Sequence, residues 1–520
     1  MRKTGVYIFL FIFSLVAANA QPHAIGKIDT TDLRRHLTFL SSGELSGRWI
    51  DAGGCGICKA AGYLKTNAEQ VKLSPGFPGF SQKVVLVSSA PDTSNSSIEI
   101  QNKKKKLTDK TTGVPSVFAG AAFRIKNAQL IFAGFGITDK TAGYDDFSGV
   151  GLKGKVVVIS TGTPESFKNK ESMRWNNLLE MTKASNAIKA GAAAVLLVVG
   201  AADGTAEMYN RLKNYMNREN WSVAEKQQPN STRFAIVNAD WADKVLGEKN
   251  SYRNLLTNIA DSKKSNSFLV ENVRVTIDLK KNTKETVSEN IVALVEGSDP
   301  DLKNECVVFM AHYDHLGVDK TGDVFNGADD NGSGAVALLE IAEAFAALDQ
   351  KPKRSIVFLW VTAEEVGMLG SKFYTENPLF PMVKTKACIN LDMVGRVFEP
   401  RDTVWNRSPK KVKDFDGIFA VTNNVWPALK EKTITACNKT GLVPDFSLPP
   451  YFMGSSDHAS FDKKGVPVLN LSTGYHADYH KPADEIEKIN FAKMKRVADL
   501  CFILGFDIAN SEIHQNKETN

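Results

Sequence analysis

At 520 residues the chain is too long for one ordinary domain, and 43% hydrophobic with 23% charged residues excludes a chiefly disordered protein. Its 64 basic and 58 acidic side chains leave +6, two less once Arg2 and Lys3 are removed, too weak and evenly mixed for a nucleic-acid or anionic-membrane partner. Six cysteines exclude a disulfide-built scaffold. In chain order, residues 1–20 read first, as a signal peptide: Arg2 and Lys3 precede the apolar run Val6–Ala18, closed by Ala18-Asn19-Ala20. That run is short of the roughly 20 residues a bilayer span needs, and no cysteine follows to take a lipid. The mature chain is expected to begin at Gln21 and to be exported, periplasmic or secreted, with no membrane anchor.

Helices are expected over Asp32–Leu40 and Lys59–Val71, broken by Gly76-Phe77-Pro78-Gly79, then short strands over Gln82–Ser89 and Ser97–Gln101. Lys103–Lys106 reads as a solvated hairpin tip. Near Asn127 the texture changes: Gln129–Gly136 and Lys155–Ser160 are strand-like, Lys183–Ala190 helical, and Gly191–Gly200 a buried strand. Gly134 and Gly136 are half a dinucleotide fingerprint with no third glycine or opening helix, so that reading is rejected. The order of these pieces, with GYDDFSGVGLKGKVVVIS and KAGAAAVLLV, resembles the protease-associated domain inserted in several exopeptidases. The resemblance implies an insert over 127–270 without chemistry of its own, between an N-terminal part over 21–126 and the main domain over 271–520. From Ser288 strand and helix alternate: Cys306–Ala311, the helix Ser333–Leu348, then strands Ser355–Val361, Ala387–Leu391 and Val466–Leu471. That pattern predicts an α/β fold with a doubly wound, mostly parallel sheet, whose ligands bind beyond the carboxyl ends of the strands.

Metal-capable side chains recur at those ends: His312 in AHYDHLG, Asp329 and Asp330 in NGADDNGSG, Glu364 and Glu365 in TAEEVGMLGS, Asp392 in NLDMVGR, and His480 in GYHADYHKPADE. One strand-end acid usually caps the next helix; five such positions in one sheet do not. Imidazole with carboxylate and no thiolate suits Zn²⁺ with open coordination positions. Cys55 and Cys58, in CGIC, fit neither a zinc ribbon nor a redox motif and read as a local disulfide or as two thiols, while Cys306, Cys388 and Cys501 read as buried thiols.

The motifs H-x-D, D-x-x-S-G, A-E-E-x-G-x-x-G-S, L-D-M and S-D-H-x-S-F, in that order, resemble the di-zinc exopeptidases of metallopeptidase family 28, which include secreted bacterial aminopeptidases and glutamate carboxypeptidases. The resemblance implies two Zn²⁺ per chain and peptide substrates. His312 and Asp392 would hold one ion, Glu365 and His480 the other, and Asp330 would bridge them; Asp329 reads as a helix N-terminal acid. Asp314 would accept the second ring N–H of His312. Glu364 would be the general base, taking a proton from the attacking water, and Tyr479 an oxyanion donor or a packing aromatic. His480 is preferred over His476 as the ligand, since the segment reads as a loop. His315 and His458 read as loop architecture, and Ser456 as orienting a ligand carboxylate. An aminopeptidase is the leading expectation. A carboxypeptidase needs a cationic clamp for which Arg396 is the one candidate, a glutaminyl cyclase lacks the full ligand set, and a non-catalytic binding protein on this scaffold would have lost ligands that are here retained.

Overall fold

The computed structural model describes residues 23–513 except 51–54, 103–106, 113–121, 140, 142, 165–176, 200–205, 225–232, 247–250, 398–414 and 449. The signal-peptide reading and the Lys103–Lys106 tip lie outside the described residues. The chain divides into two compact units, one made of the residues up to Leu86 and those from Thr286 onward, the other of Val87–Glu285.

The first unit is built on strands β1 (Ser81–Pro91), β2 (Lys281–Val295), β3 (Cys306–His312), β4 (Ser355–Val361), β5 (Thr385–Leu391), β6 (Gly417–Thr422), β7 (Val443–Asp445) and β8 (Val468–Ser472). They run side by side as β1-β2-β4-β3-β5-β8-β6-β7. The central four, β4-β3-β5-β8, are parallel, flanked by antiparallel β2 and β6. The sheet is therefore mixed at its margins and parallel where its carboxyl ends matter. Every residue of β3 and β4 is buried, which is why these segments read as continuous apolar runs rather than alternating ones.

Helices cover both faces. On one, Phe309 and Phe358 stack at 6.0 Å and Phe345 and Phe502 meet at 4.9 Å, joining the sheet to the helices Gly334–Ala346 and Phe491–Asn510. Gly505 permits this approach, since a Cβ there would lie 2.2 Å from the Phe309 ring. On the other face Val308, Met310, Leu359, Cys388 and Val468 pack against Tyr374 and Phe461 of the helices Leu369–Glu376 and His458–Asp462. Cys306, Cys388, Cys437 and Cys501 are buried free thiols, and Cys55 and Cys58 are joined as a disulfide at the start of the helix Gly56–Gln70.

The second unit holds a sheet of its own, half parallel (Phe234–Asn238, Ala194–Val199, Val156–Ser160, Phe123–Ala133) and half antiparallel (Ser267–Leu279, Ser97–Asn102, Leu107–Thr112). Its limits differ from the expected 127–270. Ile98 pairs with Ile277 and Ile100 with Val275, so a strand read as part of the first domain completes the sheet of the second. Sequence alternation marks such a strand but does not say which sheet it joins. The Gly134–Gly136 turn is clasped by Asp146, which accepts the Phe135 and Ile137 amides at 3.0 and 3.1 Å. No helix among the described residues is long and apolar enough to cross a membrane.

Candidate metal centre

The carboxyl ends of β3, β4, β5 and β8 converge on one buried cluster. His312 ends β3. Asp330 lies in the irregular turn Ala328–Ser333 that opens the helix Gly334–Ala346, Glu364 and Glu365 follow β4, Asp392 follows β5, and His480 lies beyond β8. His312 Nε2 stands 3.4 Å from Asp330 Oδ1 and 3.5 Å from Asp392 Oδ1. His480 Nε2 stands 3.2 Å from Asp330 Oδ2 and 3.3 Å from Glu365 Oε2. Ligand bonds of about 2.0–2.2 Å around a tetrahedral ion put neighbouring donor atoms about 3.3–3.6 Å apart. The four histidine–carboxylate distances, 3.2–3.5 Å, lie at or close to that spacing, and each histidine faces a different oxygen of Asp330. The chemistry and spacing of the donors thus fit a metal in each triad, with Asp330 common to both.

The loops bearing these donors are tied together by side chains that the sequence did not single out. Arg48 is delivered by a tight turn in which Ser46, Gly47 and Arg48 all have positive φ, and Gly47 is required because a Cβ there would lie 2.4 Å from the Gly317 carbonyl. Its guanidinium is fully buried and donates to four carbonyls: Tyr313 at 2.9 Å, Leu40 and Asn326 at 2.5 Å each, and Gly327 at 2.8 Å. It thereby ties the segment after His312 to the one before Asp330. Asp484 accepts the amides of Asp329 and Asp330 at 3.0 Å, and its own peptide carbonyl accepts that of Ala328 at 3.1 Å, joining the Asp330 turn to the His480 loop. Asn331 accepts the Gly334 and Met393 amides at 3.0 and 3.1 Å and donates to the Leu391 carbonyl at 2.9 Å, fastening the same turn to the Asp392 loop. A lone arginine in SGRW carries no motif, while Asn331 and Asp484 stood within the stretches NGADDNGSG and GYHADYHKPADE without being assigned a role.

The role expected of Asp314 is corrected. His312 Nδ1 lies 3.2 Å from the Asp314 backbone carbonyl and 3.8 Å from its carboxylate. The carboxylate oxygens instead accept the Glu364 and Glu365 amides at 3.1 and 3.3 Å. Two buried N–H groups at the turn out of β4 need acceptors, so Asp314 shapes the glutamate loop while its carbonyl faces the His312 ring. Asp329 does more than favour a helix start: it accepts the Gly395 amide at 2.7 Å and faces His476 Nε2 at 3.3 Å. His476 therefore sits outside both triads. Arg396, buried, donates to Asp478 at 3.0 Å and lies 3.3 Å from His476 Nδ1. The Tyr479 ring stacks on His480 at 3.8 Å and on Tyr475 at 4.4 Å, the packing half of its expected role. Ser456 accepts from Asn390 at 2.9 Å and bonds the Asp392 carboxylate. His458 lies 3.2 Å from the Phe452 carbonyl, a loop role.

Adjacent glutamates are driven in opposite directions. Burial, reinforced by the Asp457, Glu365 and Asp392 carboxylates, pushes Glu364 well above the usual carboxyl range. Burial also opposes ionisation of Glu365, but hydrogen bonds from His315 and His480 outweigh it and hold the group well below that range. Asp392 is lowered in the same way, burial being outweighed by His312 and Ser456. Beside Asp392 opens a narrow cleft lined by Phe419, Val421, Leu448, Phe452 and Tyr475 together with the polar Ser455, Asn470 and Ser472.

Residues 290–504 match the model of Peptidase family M28. Over 258 residues the chain is 30% identical to aminopeptidase YwaD of Bacillus subtilis (strain 168), covering 48% of this chain and 51% of that one. Over 200 residues it is 31% identical to leupeptin-inactivating enzyme 1 of Streptomyces exfoliatus, 38% of each chain. The chain thus spans about half or less of the length of these curated relatives. Among solved structures, the aminopeptidase from Aneurinibacillus sp. strain AM-1 shares the fold, with a TM-score of 0.52 and 19% identity over 92% of this chain and 94% of that one.

Proposed function

We propose that the protein is an exported zinc aminopeptidase, a reading supported by the match of residues 290–504 to the model of Peptidase family M28. The observation that carries the reading is the pair of histidine nitrogens, each 3.2–3.5 Å from a different oxygen of Asp330 and from a further carboxylate. His312, Asp330 and Asp392 would hold one zinc and His480, Asp330 and Glu365 the other; when bound, the ions would supply Lewis-acid charge and lower the pKa of a bound water toward neutrality. Glu364, half-buried beside Glu365, takes the proton of the attacking water and returns it to the leaving amine. Tyr479 backs the His480 ring and is the nearby phenol that can donate toward a developing oxyanion.

Reading the amino end follows from Arg396. The one arginine considered as a clamp for a substrate carboxylate is buried and engaged with Asp478 and His476, so it has no free donor fork to offer. Export rests on the sequence pattern of residues 1–20, and residues 127–270, within the unit Val87–Glu285, are read as a protease-associated insert on their sequence likeness. A peptide series tests the activity. Leu-initiated peptides with a free amine should be cleaved at the first bond, N-acetylation should lower kcat/KM by about a hundredfold or more, roughly 3 kcal/mol of transition-state binding, and C-terminal amidation should change little. Release of a C-terminal residue from N-acetylated peptides, blocked by amidation, would overturn the assignment.

A further inference from the structure

We infer that His315 is a positioning residue for the second metal site: it fixes Glu365 by donating to one carboxylate oxygen, so that the other alone faces the ion. The inference rests on reading Glu365 as a ligand. His315 is fully buried, and its Nδ1 lies 2.7 Å from Glu365 Oε1, whereas Glu365 Oε2 faces His480 Nε2 at 3.3 Å. Nδ1 also lies 3.9 Å from Asp330 Oδ2, so His315, Asp330 and Glu365 form a cluster that could itself be read as a metal triad. The shortest of these distances favours a hydrogen bond instead. Donor atoms sharing one zinc sit about 3.3–3.6 Å apart, and a nitrogen 2.7 Å from a carboxylate oxygen is a direct charge-assisted hydrogen bond.

The ring is held for this purpose. Its backbone amide donates to the Arg48 carbonyl at 3.3 Å, and Gly327 lies so close that a Cβ there would stand 2.4 Å from His315 Cδ2. Its Nε2 is buried and has no hydrogen-bond partner among the described residues. That assigns the tautomer, because a ring carrying its proton on Nδ1 leaves only a lone pair at Nε2, while the other tautomer would bury an orphan N–H. A carboxylate free at both oxygens can chelate one ion or swing between two; tying Oε1 leaves Oε2, which faces the space shared with Asp330 Oδ2 and His480.

The test is zinc binding measured by competition with a chromophoric chelator, which needs no turnover. His315→Leu, of similar bulk without a donor, should weaken one of the two ions by about 10–100-fold and leave the other unchanged. His315→Asn, whose amide nitrogen sits near the position of Nδ1, should recover most of that loss. His315→Gln, whose donor falls near Nε2, should behave like His315→Leu. Unchanged affinities in His315→Leu, equal weakening of both ions, or no recovery in His315→Asn would each overturn the proposal. Glu365→Ala is measured alongside. Loss of one ion there with both retained in His315→Leu rejects His315 alone; retention of both in Glu365→Ala rejects the ligand reading on which it stands.

Discussion

Replacing Arg48 by Met removes five donors from a fully buried position while keeping most of the side-chain bulk. Four carbonyls, those of Leu40, Tyr313, Asn326 and Gly327, lose a charged donor at 2.5–2.9 Å. Hydrogen bonds to a charged group contribute about 1.5–3 kcal/mol each, so the gross loss is about 6–12 kcal/mol. Against this, burial of the guanidinium drives its pKa down to about 10, a residual desolvation of roughly 3 kcal/mol that the substitution relieves. Some carbonyls will be met by entering water, which places the net destabilisation toward the lower end of what remains, about 3–5 kcal/mol. Urea unfolding of the zinc-loaded chain measures it, read on the transition that added zinc displaces to higher urea, since zinc binding marks the unit that holds the site. Arg48→Lys, with one nitrogen to serve four carbonyls on three segments, should fall close to Arg48→Met. A zinc-sensitive transition within about 1 kcal/mol of wild type in Arg48→Met would refute the reasoning, because the four carbonyls would then not depend on this residue.

Glu364→Gln should keep both ions and lose several orders of magnitude in kcat, whereas Glu365→Gln should weaken one ion; an active Glu364→Gln enzyme would remove the base from the mechanism. A strong chelator should abolish hydrolysis and zinc restore it, with more than one transition-metal ion per active chain by elemental analysis. Glu340 is buried 3.5 Å from His36, and burial pushes its carboxyl up to about 8 while pushing His36 down to about 4, so the pair is neutral and compensates no charge. A carboxyl raised on folding stabilises fully at low pH and loses that contribution as pH rises from its unfolded value through its folded one. Glu340→Gln should therefore match wild type near pH 4 and gain stability steadily up to about pH 8, by about 3–5 kcal/mol. Melting temperatures across that range check it, and an advantage that shrinks with pH would reject it.

What the sequence alone determined were the features carried by local pattern. Buried parallel strands are continuous apolar runs, so Cys306–His312, Ser355–Val361 and Val468–Ser472 were legible nearly to the residue. His312, Glu365 and Asp392 stand at or just after strand ends and Asp330 and His480 in the loops that follow, so all five were legible as candidates before any coordinates. Tertiary structure decided what depends on contacts between distant segments. Strand Ser97–Asn102 alternates much as an edge strand anywhere would, and only its pairing with Ser267–Leu279 assigns it to the second unit. Asp314 was read as a partner of the His312 side chain two residues away, yet its carboxylate is taken by amides fifty residues on. His315 looked like a loop residue because its partner, Glu365, is also fifty residues distant. Arg48 is 279 residues from the glycine carbonyl it binds. A buried polar side chain takes its role from whichever unpaired donor or acceptor the fold brings against it, and that pairing is written in no local pattern.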